Sequence, residues 1–407
     1  MASLSRVAQL TSTRVLRLSY FLHFIGVGIY YPFLAPYLRG LGFDGDQISR
    51  AQMAASVASV PAILFWGALA DRWRNASRTL RWAVRLAAVS AVALVFARTS
   101  AEVTLVLLAH GLALRGVVPL LDSVTVESLR DRLETSYARV RLFGSLGFIV
   151  TAQGLGLLLA SRADRAGDRA MPVAYAVAFT IFAVAVSFVS TPGVAAGPRP
   201  HLAEVRTLVA DRRLLLLLAA GAVHTMTTSS YEYFGILVRE EGLSPVVTGA
   251  GMSFGVLSEV LVFFAFPMIE RRASLATLLV ISFGASSLRW FALSRAHGAV
   301  SLVALQAMHG LTFGLYWAAT VRALEHLVPS RLRATGQALY TAVTFAIGGA
   351  IGYRLAGIGY DRFGSAPRVY AAAAWVELVA LALAFALRGV PMRKSEVDGT
   401  GAASEVR

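Results

Sequence analysis

Gly67-Ala-Leu-Ala-Asp-Arg-Trp-Arg74 is a short segment that ends in charged residues and lies between two apolar runs, 46–69 and 79–97. Each run has about 20 residues, the length that an α-helix needs to cross roughly 30 Å of hydrocarbon. A backbone amide without a partner costs several kcal/mol in lipid, so a run that spans a membrane must be helical. The segment and its flanks therefore predict two membrane helices joined by a short basic loop.

The same alternation of apolar runs and short polar segments extends along the 407 residues of the chain. Hydrophobic residues make up 57% of the sequence and charged residues 15%, whereas a soluble domain has about 25% charged residues. We predict an all-α membrane protein with twelve transmembrane helices. The predicted ranges are 17–38, 46–69, 79–97, 102–127, 138–160, 171–190, 214–238, 245–269, 274–294, 299–322, 334–358 and 367–388.

A longer polar stretch divides these predicted helices into two sets of six. Two similar halves joined by a linker are a common architecture for secondary transporters. We expect an N-terminal half, 1–190, a cytoplasmic linker, 191–213, a C-terminal half, 214–388, and a polar tail, 389–407. Twelve helices can form a working unit, so we expect a monomer.

The formal net charge is +15, and the arginines concentrate in alternate loops, for example at Arg72, Arg74, Arg271 and Arg272. This distribution follows the positive-inside rule and places both termini in the cytoplasm. It accounts for the basic composition without a nucleic-acid partner. We expect a multi-pass protein of the inner membrane that is surrounded by the lipid bilayer.

The segment 67–74 resembles the hallmark loop of the major facilitator superfamily, in which a glycine precedes Asp-Arg by four residues. The matching residues are Gly67, Asp71, Arg72 and Arg74. A glycine lets a neighbouring helix approach closely, and an aspartate can cap a helix amino terminus across an interface. We expect these four residues to form a conformational latch. The alternative is that the loop is basic only because short cytoplasmic loops usually are.

Charged and titratable residues inside the predicted spans identify candidate functional positions. A charge at the bilayer centre costs several kcal/mol unless it faces a cavity or a partner. Arg115 and Asp122 are seven residues apart in the fourth predicted helix, so they share one helix face. The others are Arg141 in the fifth helix, Glu259 in the eighth, Arg289 in the ninth, His309 in the tenth and Glu377 in the twelfth.

Several segments resemble the phenylpropionate permease family, a group of lactose-permease-like proton symporters. The longest is 137–148, Tyr-Ala-Arg-Val-Arg-Leu-Phe-Gly-Ser-Leu-Gly-Phe; the others are 119–122, 256–261, 288–290, 306–314 and 336–340. Ala138 stands where the family usually has glycine, and Arg115 has no recognised counterpart.

The resemblance implies a role for each of five residues. Asp122 and Arg141 would contact the substrate, and Glu259, Arg289 and His309 would carry out proton coupling. Alternatively, Glu259 and Arg289 form only a structural ion pair. A carboxylate held between an apolar environment and an arginine can load and release a proton as access alternates.

Polar aromatic stripes on three predicted helices are unusual for a surface that faces lipid. His23 and Tyr30 lie on one face of the first helix, and Tyr231 lies in the seventh. We expect these residues, together with Arg115, to line the substrate cavity. The alternative is that the tyrosines belong to the interfacial aromatic belts.

These features predict a proton-coupled symporter that imports a small organic solute, such as an aromatic acid, by alternating access; sugars and nucleosides are also compatible. The alternatives are a proton-antiport exporter of drugs or metabolites and a membrane sensor that does not transport. We do not expect an enzyme, because the sequence has no His-Glu-x-x-His, Gly-x-Ser-x-Gly or Walker motif. It has no cysteine either, and we expect neither a metal nor a cofactor.

Overall fold

The computed structural model describes residues 2–129, 136–162, 169–190, 208, 210–329 and 332–388, and their regular structure is helical throughout. The predicted tail, 389–407, lies outside the described residues, as does most of the predicted linker, 191–207 and 209.

The helices of the described residues follow the predicted apolar runs. They are α1 (Ala2–Gly40), α2 (Gly45–Trp73), α3 (Ala76–Phe96), α4 (Ser100–Leu129), α5 (Tyr137–Ala160), α6 (Ala170–Val186), α7 (Arg212–Glu240), α8 (Pro245–Glu270), α9 (Leu275–Leu293), α10 (Gly298–Leu327), α11 (Thr335–Phe363) and α12 (Ala366–Arg388). Eleven of them are long and apolar enough to cross a membrane, whereas α6 is apolar but has 17 residues. An all-α membrane protein is therefore confirmed, and a twelfth span at α6 stays a prediction.

Five of the described helices contain irregular backbone near their middle. In α2, the first segment ends at Val57 and the second begins at Ser59. The first segment of α4 ends at Leu114 and the second begins at Val117, while α7 contains a 3₁₀ segment, Ser229–Tyr233. Two π-helical segments are Gly310–Leu315 in α10 and Ala342–Gly348 in α11. Irregular backbone at membrane depth is tolerated where it is buried in protein or lines a cavity, and π segments are frequent at functional sites.

The helices pack as two groups. In the first group, α1–α6, helix α1 packs on α5 and α3 packs on α6. In the second group, α7–α12, helices α7 and α9 both pack on α12. The broadest contacts between the groups are those of α2 with α11 and of α5 with α8.

The two groups share an apolar core at the end of the bundle where α1 turns into α2, residues 41–44, which we name the closed end. One buried cluster there contains Phe33 and Leu38 from the first group and Phe234 and Leu237 from the second. At the opposite end, the second group has its own buried cluster, drawn from residues 208–387. The described cores are therefore joined at the closed end and separate at the other.

Small residues allow the close helix contact at the closed end. A Cβ atom added to Gly357 of α11 would lie 2.3 Å from both the carbonyl oxygen of Gly45 and the Cβ of Ser49 in α2. A Cβ added to Gly249 of α8 would lie 2.3 Å from the carbonyl oxygen of Ala152 in α5. Small residues at such positions let two backbones approach without side chains between them.

Candidate functional site

Asp122 lies in a group of aromatic and polar side chains inside the first helix group. The hydroxyl of Tyr20 donates a hydrogen bond to Asp122 Oδ1 at 2.5 Å, and the hydroxyl of Tyr137 also interacts with this carboxylate. The guanidinium carbon of Arg141 lies 4.4 Å from the ring centre of Phe24 and 5.5 Å from that of Tyr20. We call these five residues the Asp122 cluster.

The guanidinium of Arg141 is not committed to a carboxylate in this arrangement. Among the described residues, Arg141 forms neither an ion pair with Asp122 nor a hydrogen bond, and its side chain is only partly buried. Tyr20 lies between the two charges and contacts both. Arg141 therefore presents a planar set of donors that can bind a ligand carboxylate.

A second polar group, the Arg289 cluster, lies in the second helix group. Its members are Tyr231, Glu259, Arg289, Gln306, His309 and Thr312. Arg289 is 1% exposed and donates hydrogen bonds to Gln306 Oε1 at 2.5 Å and to Thr312 Oγ1 at 2.9 Å. The irregular backbone of α10 carries both acceptors, and the ring centre of Tyr231 lies 4.5 Å from the guanidinium carbon.

His309 lies between Arg289 and Glu259 and contacts both. Arg289 Nη1 lies 3.2 Å from His309 Nδ1, and His309 Nε2 lies 3.7 Å from Glu259 Oε2. An arginine can only donate, so a neutral His309 accepts at Nδ1 and keeps its hydrogen on Nε2, facing the carboxylate. In the described part of the chain, Glu259 and Arg289 do not form the direct ion pair that the sequence left open.

The Asp122 and Arg289 clusters lie close to each other across the boundary between the helix groups. Arg141 is near enough to Glu259 for an electrostatic interaction. Glu259 and His309 are 19% and 17% exposed, in contrast to the fully enclosed Arg289. The five residues that the family resemblance identified, including Asp122, therefore lie in one region of the molecule, and Arg141 acts on the partly exposed Glu259.

Arg115 and Tyr30 lie elsewhere, in a third group that we call the Glu232 cluster. Its members are Tyr30, Tyr31, Gln52, Arg115, Glu232 and Tyr353. Arg115 interacts with the hydroxyl of Tyr31 and electrostatically with Glu232. It is separated from Asp122 by seven residues, about 10 Å along a helix, so the two share a helix but contact different partners.

Glu232 is a functional candidate that the sequence reasoning did not select. It lies inside the predicted span 214–238, where a carboxylate is costly. That same signal selected Glu259 and could have selected Glu232. The sequence pattern instead predicts that Tyr231 belongs to an aromatic stripe along the substrate cavity.

His23 lies within the first helix group rather than between the groups. It is 3% exposed, and its ring centre is 5.1 Å from that of Phe24 and 5.8 Å from that of Phe182 in α6. No described residue forms a hydrogen bond with its Nδ1 atom. His23 therefore borders the Asp122 cluster through Phe24, and Arg141 acts on it electrostatically.

Among the described residues, no helix lies close to Gly67, since a Cβ added there would meet nothing within 4 Å. The conformational latch of Gly67, Asp71, Arg72 and Arg74 stays a prediction. Asp71, Arg72 and Arg74 are exposed, and Arg74 ends its helix in the left-handed conformation with φ 48°. The physical reason is that these residues lie at the end where the two cores are separate.

Comparison with known proteins agrees with this architecture. The MFS_1 like family matches residues 13–371. A maltose permease of Geobacillus stearothermophilus is 28% identical over 342 residues, which cover 82% of this chain and 84% of the relative. A probable 3-phenylpropionic acid transporter of Escherichia coli (strain K12) is 28% identical over 356 residues, covering 84% and 89%.

Solved structures share the fold at lower sequence identity. The crystal structure of a mutant of the nucleoside transporter NupG superposes with a TM-score of 0.83 and 17% identity, covering 92% of this chain and 99% of that one. The arrangement of the helices is therefore one that a membrane transporter uses.

Proposed function

Since this chain belongs to the MFS_1 like family and is a membrane transporter, we propose that it is a proton-coupled symporter that imports a small organic solute by alternating access. The observation that carries the proposal is the position of Arg141. Its donors are uncommitted among the described residues, and it acts electrostatically on Glu259, which contacts His309. The proposed solute site and the proposed proton site would then lie within reach of each other.

The surroundings of Arg141 suit a solute with a carboxylate and a ring. The guanidinium can bind a carboxylate through two parallel hydrogen bonds, and Tyr20 and Phe24 offer ring faces beside it. Asp122, held by Tyr20, can accept a hydrogen bond from a polar group of the solute. A relative named as a probable 3-phenylpropionic acid transporter supports an aromatic acid as the first candidate.

Coupling between solute and proton follows from Arg141, which would act on both the solute carboxylate and Glu259. The positive charge of a free Arg141 attracts a negatively charged Glu259 carboxylate. A bound solute carboxylate neutralises Arg141 and removes that support, so solute binding favours proton binding at Glu259. Arg289 orients His309, whose Nε2 hydrogen faces the carboxylate. Loading solute and proton together is the requirement for symport.

Alternating access would use the two helix groups as the moving parts. We propose that the halves, 1–190 and 214–388, rock about the site and that 191–213 links them in the cytoplasm. The positive-inside rule makes the closed end the outer end, so this arrangement opens toward the cytoplasm. α6 would be the twelfth span, and the latch residues would engage when the outer end opens.

Uptake into proteoliposomes tests the proposal. Labelled 3-phenylpropionate should accumulate when the proton gradient is directed inward, and maltose and a nucleoside should compete weakly or not at all. Arg141→Gln should abolish uptake, and Arg141→Lys should retain part of it, because lysine keeps the charge but not the planar fork. Accumulation driven by the opposite gradient would indicate an exporter, and binding without flux would indicate a sensor.

A further inference from the structure

Glu232 is a buried carboxylate whose hydrogen bonds come from both helix groups. It is 4% exposed and lies in the 3₁₀ segment of α7. Its Oε1 atom accepts a hydrogen bond from the hydroxyl of Tyr353 in α11 at 2.5 Å. Its Oε2 atom accepts one from the side-chain amide of Gln52 in α2. The carboxylate therefore ties the first group to the second.

The charges around Glu232 reinforce this tie. Arg115 of α4, in the first group, is the cation that interacts with Glu232 of the second. The other titratable groups that act on Glu232, or on which it acts, are Tyr30, Tyr31, Tyr233 and Tyr353. These are hydroxyls, so the charge–charge attraction between the groups at this level is that of Arg115 with Glu232.

The position of Glu232 places it between the substrate region and the closed end. Beyond it, the backbone nitrogens of Gly45 and Asp46 donate hydrogen bonds to the Asp361 carboxylate at 2.6 and 2.7 Å. Arg354 of α11 pairs with Asp46 of α2. A solute that moves between the closed end and Arg141 must therefore pass the Glu232 cluster after this outer layer has separated.

We infer that Glu232 is the positioning residue that holds the closed end shut, with Gln52 and Arg115 as its partners on the opposite helix group. The inference rests on the proposed alternating-access function. Opening the closed end moves Gln52 and Arg115 away from Glu232, whereas Tyr353 stays beside Glu232 because both lie in the second helix group. Removing the Glu232 charge weakens the closed arrangement without altering the Asp122 or Arg289 clusters.

Spin-label distances in the full-length protein test this inference. The chain has no cysteine, so Ala101→Cys and Val300→Cys place labels only at the closed-end starts of α4 and α10, where both positions are exposed. In lipid nanodiscs, Glu232→Gln should raise the ratio of open to closed molecules about tenfold, the factor expected from one hydrogen bond to a charged group. Tyr353→Phe should leave the ratio nearly unchanged, since Tyr353 lies on the same group as Glu232.

Glu377 provides a matched control, because it too is a buried carboxylate with hydrogen-bond partners. It is fully buried and bonds to His224 at 2.7 Å and to Thr227, all within the second helix group. Glu377→Gln should lower thermal stability without changing the label distance. If Glu232→Gln reduces expression, Gln52→Leu removes the same contact from the other side and should also favour the open form.

The results separate this inference from the proposed function. An unchanged distance in both Glu232→Gln and Gln52→Leu, or an equal shift in Glu377→Gln, would overturn the inference. If the distance shifts but no solute is taken up, the role of Glu232 is supported and the proposed symport fails. If uptake follows the proton gradient but the distance does not shift, the symport is supported and the role of Glu232 fails.

Discussion

Replacing Glu259 by glutamine tests proton coupling most directly. Glu259 is the carboxylate that contacts His309, at 3.7 Å, and the one on which Arg141 acts. One such carboxylate implies one proton for each solute molecule. A monoanion and a proton together carry no net charge, so only the pH difference drives accumulation. One pH unit corresponds to about 1.4 kcal/mol, or about tenfold accumulation of the solute.

Proteoliposomes with a gradient of one pH unit provide the assay. The wild-type protein should accumulate the solute about tenfold. Glu259→Gln should only equalise the concentrations, while exchange of labelled for unlabelled solute should continue because Arg141 is intact. Glu270→Gln is the control on the same helix, since Glu270 pairs with Arg322 away from the cluster. If Glu259→Gln still accumulates the solute about tenfold, Glu259 is not the proton carrier and the reasoning fails.

Two further substitutions probe the packing and the electrostatics. Gly357→Val places a Cβ 2.3 Å from the carbonyl oxygen of Gly45, and overpacking of this kind costs about 1–3 kcal/mol. A single cysteine at the closed end should therefore react faster with an impermeant thiol reagent. Gly359→Val should not change this rate, because its Cβ has only ordinary contacts, beginning at 3.6 Å. Arg289→Lys cannot keep the hydrogen bonds to Gln306 and Thr312 together with the approach to His309. It should therefore lower the unfolding free energy by about 2 kcal/mol and abolish accumulation driven by the pH gradient. A wild-type melting temperature together with wild-type accumulation would contradict this role.

The helices could be predicted closely because the bilayer acts on each of them separately. The run predicted at 46–69 is α2, Gly45–Trp73, and the run predicted at 245–269 is α8, Pro245–Glu270. Each apolar run must satisfy its own backbone hydrogen bonds, so its length and composition suffice to identify it. The helix α6 ends at Val186, before the end of its predicted range, 171–190.

The candidate site could be predicted only as a set of residue types. The cost of a charge in lipid selected Arg141, Glu259 and Arg289, and the family resemblance divided them into substrate and proton roles. Neither argument showed that His309 lies between Glu259 and Arg289. The rotation and depth of α8, α9 and α10 decide which side chains meet.

The sequence by itself determined that this chain is a helical membrane protein, because apolar runs and loop charges act locally and need no knowledge of neighbouring helices. Only the tertiary structure decided that Glu232 joins Gln52 and Arg115, that Gly67 lacks a close neighbour, and that the two groups meet at one end. The reason is that contacts between helices depend on how two rigid groups are oriented, and a transporter changes that orientation while its sequence stays the same.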